Sequence, residues 1–133
     1  MKSLRICSPL PEDVEELVRV VIGSCITVHE TLGPGLLESS YAKALASELR
    51  ARLVPFELEL TVPVLYRGHT LGRHRIDLFV DGKVVVEVKA VERLAPVHVA
   101  QVLTYLRLTR ARIGLLVNFN ADQIRHGIRR VIL

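Results

Sequence analysis

The stretch RIDLFVDGKVVVEVKA, residues 75–90, decides how the rest of the chain is read. Two apolar runs flank Asp81-Gly82, a pair that tolerates left-handed backbone, so the segment reads as a β-hairpin. Charge stands inside it where core is expected. Asp77 precedes Leu78-Phe79-Val80, and Glu87 and Lys89 interrupt a run of valines. Side chains alternate across a strand, so Val84, Val86, Val88 and Ala90 share one face while Val85, Glu87 and Lys89 share the other. The first set is pure core, and the second ends in an acid and a base held on rigid backbone.

Whether Asp77 joins them depends on the loop. A two-residue Asp81-Gly82 turn pairs Asp77 with Val86, on the wrong face. A three-residue loop Val80-Asp81-Gly82, with Gly82 left-handed in a bulge, pairs Asp77 with Val85 and sets it diagonal to Glu87. The bulged register is expected, because it brings both carboxylates within reach of one cation.

Outward from the hairpin the period of the apolar residues changes. Val14, Leu17, Val18, Val21, Ile22, Cys25 and Ile26 follow the spacing of an amphipathic helix that begins at Glu12 and stops at Gly33-Pro34-Gly35. His29 continues that stripe as a hydrogen-bonded core residue. A second helix is expected over about residues 36–52. Residues 56–66 alternate as a half-buried strand, with Pro63 marking an edge or a bulge. Arg67-Gly68-His69 makes a turn into the hairpin. Pro96 opens a third helix over 96–109. A buried strand at 113–118, a helical turn at 121–126 and a last strand at 128–133 complete a single α/β domain with a mixed sheet, residues 12–133, behind a lead-in of residues 1–11.

The chain has 133 residues, 50% hydrophobic and 24% charged, which is one folded domain rather than a disordered segment. No apolar run approaches the roughly 20 residues that cross a membrane, so no membrane partner is expected. Cys7 and Cys25 lack metal-ligand spacing and read as free thiols, which points to a cytoplasmic location. Residues 1–60 carry 6 Lys and Arg against 9 Asp and Glu, whereas residues 61–133 carry 12 against 5. A basic second half suits a polyanion such as nucleic acid. Arg107, Arg110 and Arg112 are candidates for backbone phosphates.

Two carboxylates beside a lysine have a definite chemical use. Carboxylate oxygens hold Mg²⁺ or Mn²⁺ while leaving positions for water and a substrate phosphate. A lysine alongside can orient the water or neutralise charge that develops on the phosphoryl group. Gln101 and Tyr105, at i and i+4, share a face of the third helix with His98 one turn earlier. Gln can bond a phosphate or a metal-bound water, and Tyr can hold a phosphate or stack on a base. His74, close before Asp77, is a further candidate for phosphate. Glu38 and Tyr41 lie one turn apart at the start of the second helix, where Glu38 could add a carboxylate and Tyr41 a substrate contact. Asn118 and Asn120 end a strand and fit a turn.

G-x-x-E-x-x-Y at residues 35–41 resembles the motif of the bacterial and archaeal GxxExxY proteins. The likeness continues through VHETLGPGLLESSYAKAL, IDLFVDGKVVVEVKAV, AQVLTYLRL and GLLVNFN, from about Val14 to Arg130. That family is placed in the PD-(D/E)xK nuclease superfamily. The resemblance implies a restriction-endonuclease-like fold, with a mixed sheet flanked by helices and a core order α-β-β-β-α-β. It implies that Asp77 is the motif aspartate, that Glu87 and Lys89 form the E-x-K, and that the Val88 carbonyl adds a metal ligand. Gln101 and Tyr105 resemble the Q-x-x-x-Y of RecB-type exonucleases, and Glu38 resembles the helical acid that precedes the sheet. Ile76 stands where the motif name has proline, a position that is loose across the superfamily. The function implied is metal-dependent hydrolysis of nucleic-acid phosphodiesters, with Mg²⁺ or Mn²⁺ as cofactor. Two other classes are carried beside it: a catalytically silent nucleic-acid-binding module, and a partner-binding protein. A homodimer is compatible with so small a domain.

Overall fold

A computed structural model describes residues 10–133, so Cys7 and most of the expected lead-in lie outside the described residues. Helix α1 (Glu12–Leu32) and helix α2 (Glu38–Ala51) come first, followed by strands β1 (Phe56–Tyr66), β2 (His69–Val80) and β3 (Val84–Lys89). Helix α3 (Pro96–Thr109), strand β4 (Ile113–Asn118), a 3-10 turn (Ile124–Gly127) and strand β5 (Ile128–Ile132) follow. The five strands form one sheet in the order β1-β2-β3-β4-β5. Only β3 and β4 run parallel, joined across the sheet by α3; the other neighbours are antiparallel. This is the mixed α/β architecture expected from the sequence.

Helices α1 and α2 cover one face. Glu12, Asp13 and Glu15 occupy the first turn of α1, where carboxylates suit the helix dipole. Its buried stripe runs through Val18, Val21, Cys25 and Val28. The helix ends at Gly33, whose N–H still bonds the His29 carbonyl and whose φ of +67° turns the chain out of the helix. These side chains pack with Leu45 and Leu49 of α2 against Leu78, Val80, Val84, Val86, Val88, Leu115 and Val117. Val102, Tyr105 and Leu106 of α3 cover the other face with Ile76, Val85, Leu116 and Val131. The crossover helix sits close because residue 114 is glycine: a Cβ there would lie 2.5 Å from Val102 Cγ1. Both faces of β3 and β4 are therefore dry, which explains runs of valine and leucine in place of alternation.

Two strands break the alternating rule at one point. Leu78 and Val80 belong to the α1/α2 core, yet Ile76 belongs to the α3 core. In β1, Phe56 packs toward the first core whereas Leu60 and Val62 pack toward the second. Positions two apart share a face in a regular strand, so both strands change face between these residues. The change falls at Asp77 and at Glu59, whose φ is +58° and which is passed over in the β1–β2 register. Pro63 sits on β1, an edge strand, and a bulge follows at Val64/Leu65, as the proline implied.

Beyond that crossing, β2 leaves β3. Their paired residues are Leu78–Val86, Phe79–Val85 and Val80–Val84, whereas the β1–β2 pairing continues to Tyr66–His69. Residues 61–75 consequently form a two-stranded ribbon that runs past the sheet.

Candidate active site

The hairpin loop is three residues long, but it is Asp81-Gly82-Lys83 and not the expected Val80-Asp81-Gly82. Asp81 (φ +51°) and Gly82 (φ +64°) are both left-handed, and the Lys83 N–H closes the turn on the Val80 carbonyl at 2.9 Å. Lys83 is the extra residue, with its amine toward Asp13 (3.2 Å) and Asp81 (3.5 Å). The expected register is thus corrected by two residues along β3. Aspartate tolerates the left-handed well, so the turn closes on two such residues and leaves Lys83 as the unpaired third. Extending the observed pairing sets Asp77 directly opposite Glu87 rather than diagonal to it.

At that place side chains stand in for the backbone ladder. Asp77 Oδ2 accepts the Val88 N–H at 2.8 Å, and Glu87 Oε1 lies 3.4 Å from the Asp77 N–H. The irregularity at Asp77 opens the gap, and its carboxylate fills it. The N–H and C=O of one strand residue point to the same side, so the Val88 carbonyl is directed toward the same gap. Glu87 is only 4% exposed, and Lys89 Nζ stands 3.8 Å from Glu87 Oε2. Burial raises the Glu87 carboxyl, and the charge of Asp77 raises it further, to about 8. Asp77 is also raised by burial, partly offset by the Val88 N–H, and the charge of Glu38 pushes it in the same direction. Two carboxylates in one poorly solvated place favour holding a proton between them at neutral pH.

Two cavities lie beside the pair, one lined by Lys89 and the other by Asp77. On the α3 side a cavity of about 460 Å³ is lined by His74, Lys89, His98, Gln101, Thr104 and Tyr105, among others. Burial and the charge of Glu87 raise the Tyr105 phenol, and the neighbouring Gln101 side chain lowers it. The His74 and Tyr105 rings lie 6.2 Å apart. On the α2 side a cavity of about 220 Å³ is lined by Glu38, Lys43, Glu59, Arg75 and Asp77, among others. Glu38, the first residue of α2, reaches the site from there.

Other expected residues stand elsewhere. Tyr41 is fully buried, stacks on Phe119 at 4.7 Å, donates to the Gly33 carbonyl and accepts the Leu36 N–H. It fastens the turn before α2 and has no surface for nucleic acid, so the substrate contact expected of it is withdrawn. Arg110 is the left-handed residue that ends α3, beside the start of β4. Ile113 pairs with Val84 whereas Asn118 pairs with Lys89, so Arg110 lies at the opposite end of the sheet from the site. Arg107 is exposed and projects about 120° around the helix from Gln101. Neither arginine lines a cavity at the carboxylates. His29 is the expected bonded core histidine, 2.7 Å from the Ala121 carbonyl.

Sequence reading gave Asn118 only a turn role. It is buried at the end of β4; its Oδ1 accepts the Val91 and Asn120 N–H groups and its Nδ2 donates to the Val91 carbonyl. This clamp fixes the chain leaving Lys89 on its way to α3. A buried amide facing a loop is its only sign, and that needs coordinates. His98 takes a similar local role, its Nδ1 accepting the Ala95 N–H at the start of α3.

An aspartate and glutamate on adjacent strands and a lysine two residues on thus stand together, with a crossover helix carrying Gln and Tyr beside them. In comparison with protein families, residues 15–131 match the PD-(D/E)XK nuclease superfamily. The chain belongs to that superfamily. No curated protein and no solved structure matches it.

Members of this superfamily typically use divalent metals. Among the described residues no group of three or more His, Cys, Asp or Glu side chains is arranged to hold a metal ion. The donors at the centre are two carboxylates and a carbonyl. That set suits Mg²⁺, which is commonly bound through one or two carboxylates with water and substrate oxygens completing six positions. The mutual repulsion of Asp77 and Glu87 is the kind of electrostatic deficit that a cation relieves.

Proposed function

We propose that the protein is a metal-dependent nuclease of the GxxExxY kind that hydrolyses phosphodiester bonds of nucleic acid. The observation that carries this reading is the adjacent, poorly solvated pair Asp77 and Glu87 with Lys89 beside it. Asp77, Glu87 and the Val88 carbonyl would hold Mg²⁺ or Mn²⁺, with Glu38 reaching the same place from α2. A bound cation would polarise the phosphoryl oxygen and lower the pKa of water.

The protein's own groups do the rest. Lys89, on the cavity side of Glu87, orients the attacking water or offsets charge on the phosphoryl oxygens. Gln101 and Tyr105 stand side by side on the wall of the larger cavity, where they position a phosphate or a base edge. His74 completes that wall. The carboxylates also need their counter-charge, which is why Lys89 acts on the site's electrostatics as well as on the substrate.

Nuclease assays with Mn²⁺ on wild type, Lys89→Ala and Glu87→Ala test the reading. Loss of a lysine or carboxylate that acts in the transition state is expected to lower the rate about 100-fold or more. Circular dichroism is expected to stay that of the wild type. Cleavage that survives both substitutions would reject the assignment.

A further inference from the structure

The ribbon of residues 61–75 is basic. It carries Arg67, Arg73, Arg75, His69 and His74, and no acidic residue. From Leu65 to Arg75 every residue is exposed. Six pairs, from Thr61–Arg75 to Tyr66–His69, hold it together, a length of about 20 Å. Among the described residues neither Arg67 nor Arg73 has an ion-pair partner; Arg75 has one, Glu59, at 3.6 Å.

Its tip runs against local preference. Arg67 and Gly68 are both left-handed, at φ +51° and +80°. A turn of this kind favours Asn-Gly, because arginine is strained there. Leu65, Tyr66 and Leu71 beside it are 60–66% exposed. A cation and a cluster of apolar side chains are thus held out in solvent, where folding gains nothing from them.

The root of the ribbon is the wall of the site. His74 lines the larger cavity with Lys89 and Gln101, and Arg75 lines the smaller one with Asp77 and Glu38. Whatever occupies the carboxylates is therefore followed along the ribbon by positive charge. The major groove of a duplex admits a two-stranded ribbon, whereas a lone strand in the cavity would not need an arm with cations at its end. From these observations we infer that residues 61–75 form an arm that enters a groove of double-stranded nucleic acid, with Arg67 and Arg73 on its phosphates. This inference rests on the nuclease reading and adds its substrate: a duplex.

The test is equilibrium binding of a 20-base-pair duplex and of one of its strands, in EDTA, across a salt series. The variant Arg67→Asn with Arg73→Ala removes both cations while giving the turn the residue it prefers. A merely structural ribbon would then be as firm or firmer, so lost binding cannot be blamed on the fold. Duplex affinity is expected to fall about tenfold, with the slope of log K against log salt smaller by about 2, while single-strand affinity changes less than twofold. Mn²⁺-dependent hydrolysis of a small phosphodiester such as bis(p-nitrophenyl) phosphate is expected to stay at the wild-type rate. Equal losses on both nucleic acids, unchanged duplex binding, or binding of anionic phospholipid vesicles in place of duplex would each overturn the arm. If the wild type hydrolyses the small ester but binds no duplex, the arm fails alone. If it does neither, the nuclease reading fails with it.

Discussion

Glu87 faces a conflict that its neighbours do not resolve. It is 4% exposed, opposite a second carboxylate, and its nearest cation is 3.8 Å away. Its carboxyl is held at about 8 against an ordinary value of 4.5. The native state keeps a proton that the unfolded chain has already released. Stability from this group is therefore complete below about pH 4.5 and is lost as pH rises toward 8. Asp77, raised in the same direction, adds to the slope. Glutamine mimics the protonated acid and cannot ionise. In thermal melts from pH 5 to 9 in EDTA, Glu87→Gln is expected to match the wild type near pH 5. By pH 8 it should exceed it by an amount on the order of a few kcal/mol. Parallel curves for the two proteins would show that Glu87 ionises freely. At this scale the sequence was informative, because acids inside a valine run have few uses. Tyr41 and Asn118 were not legible, since a buried polar side chain is known by partners that sequence spacing does not name.

Elements were read well where one period runs without interruption. Helix α1 starts at Glu12 and stops before Gly33, and α3 spans 96–109, as the apolar spacing and the flanking Gly and Pro require. The misreading came where two strands change face together, at Asp77 and Glu59. Simple alternation cannot express that change, and the hairpin register shifted with the placement of one left-handed residue. The connection between β3 and α3 depends likewise on a single side chain. Asn118 makes three hydrogen bonds to Val91 and Asn120. At roughly 1 kcal/mol each, Asn118→Ala is expected to cost about 2–3 kcal/mol of stability in denaturant titration. It should also slow Mn²⁺-dependent cleavage, because the chain after Lys89 and the start of α3 lose their common anchor. A variant as stable as the wild type would show that these bonds are replaced by water.

Across the whole molecule burial falls off steeply along one direction. Strands β3 and β4 are covered on both faces, and all of Val84, Val85, Val86, Val88, Leu115, Leu116 and Val117 are fully buried. The ribbon is exposed from Leu65 to Arg75. Val62 and His74 at its root touch the α3 side, and beyond them it is held by pairing between its own two strands. An isolated two-stranded hairpin is marginal in water. The length of β1 was legible in its residues, but the early start of β2 at His69 and the departure of both strands from the sheet were not, because β3 is too short to follow them. Local opening should therefore be graded: free energies near zero at the ribbon tip and near the global value in β3 and β4. Hydrogen–deuterium exchange is expected to label residues 65–74 within seconds to minutes, while peptides covering 84–88 and 113–117 exchange only on global unfolding. Adding a duplex in EDTA should slow exchange in the ribbon and leave the slow core unchanged, since only the ribbon has order to gain. Ribbon amides as protected as those of β3 in the free protein would mean that it packs against something in solution, such as a second copy of the chain.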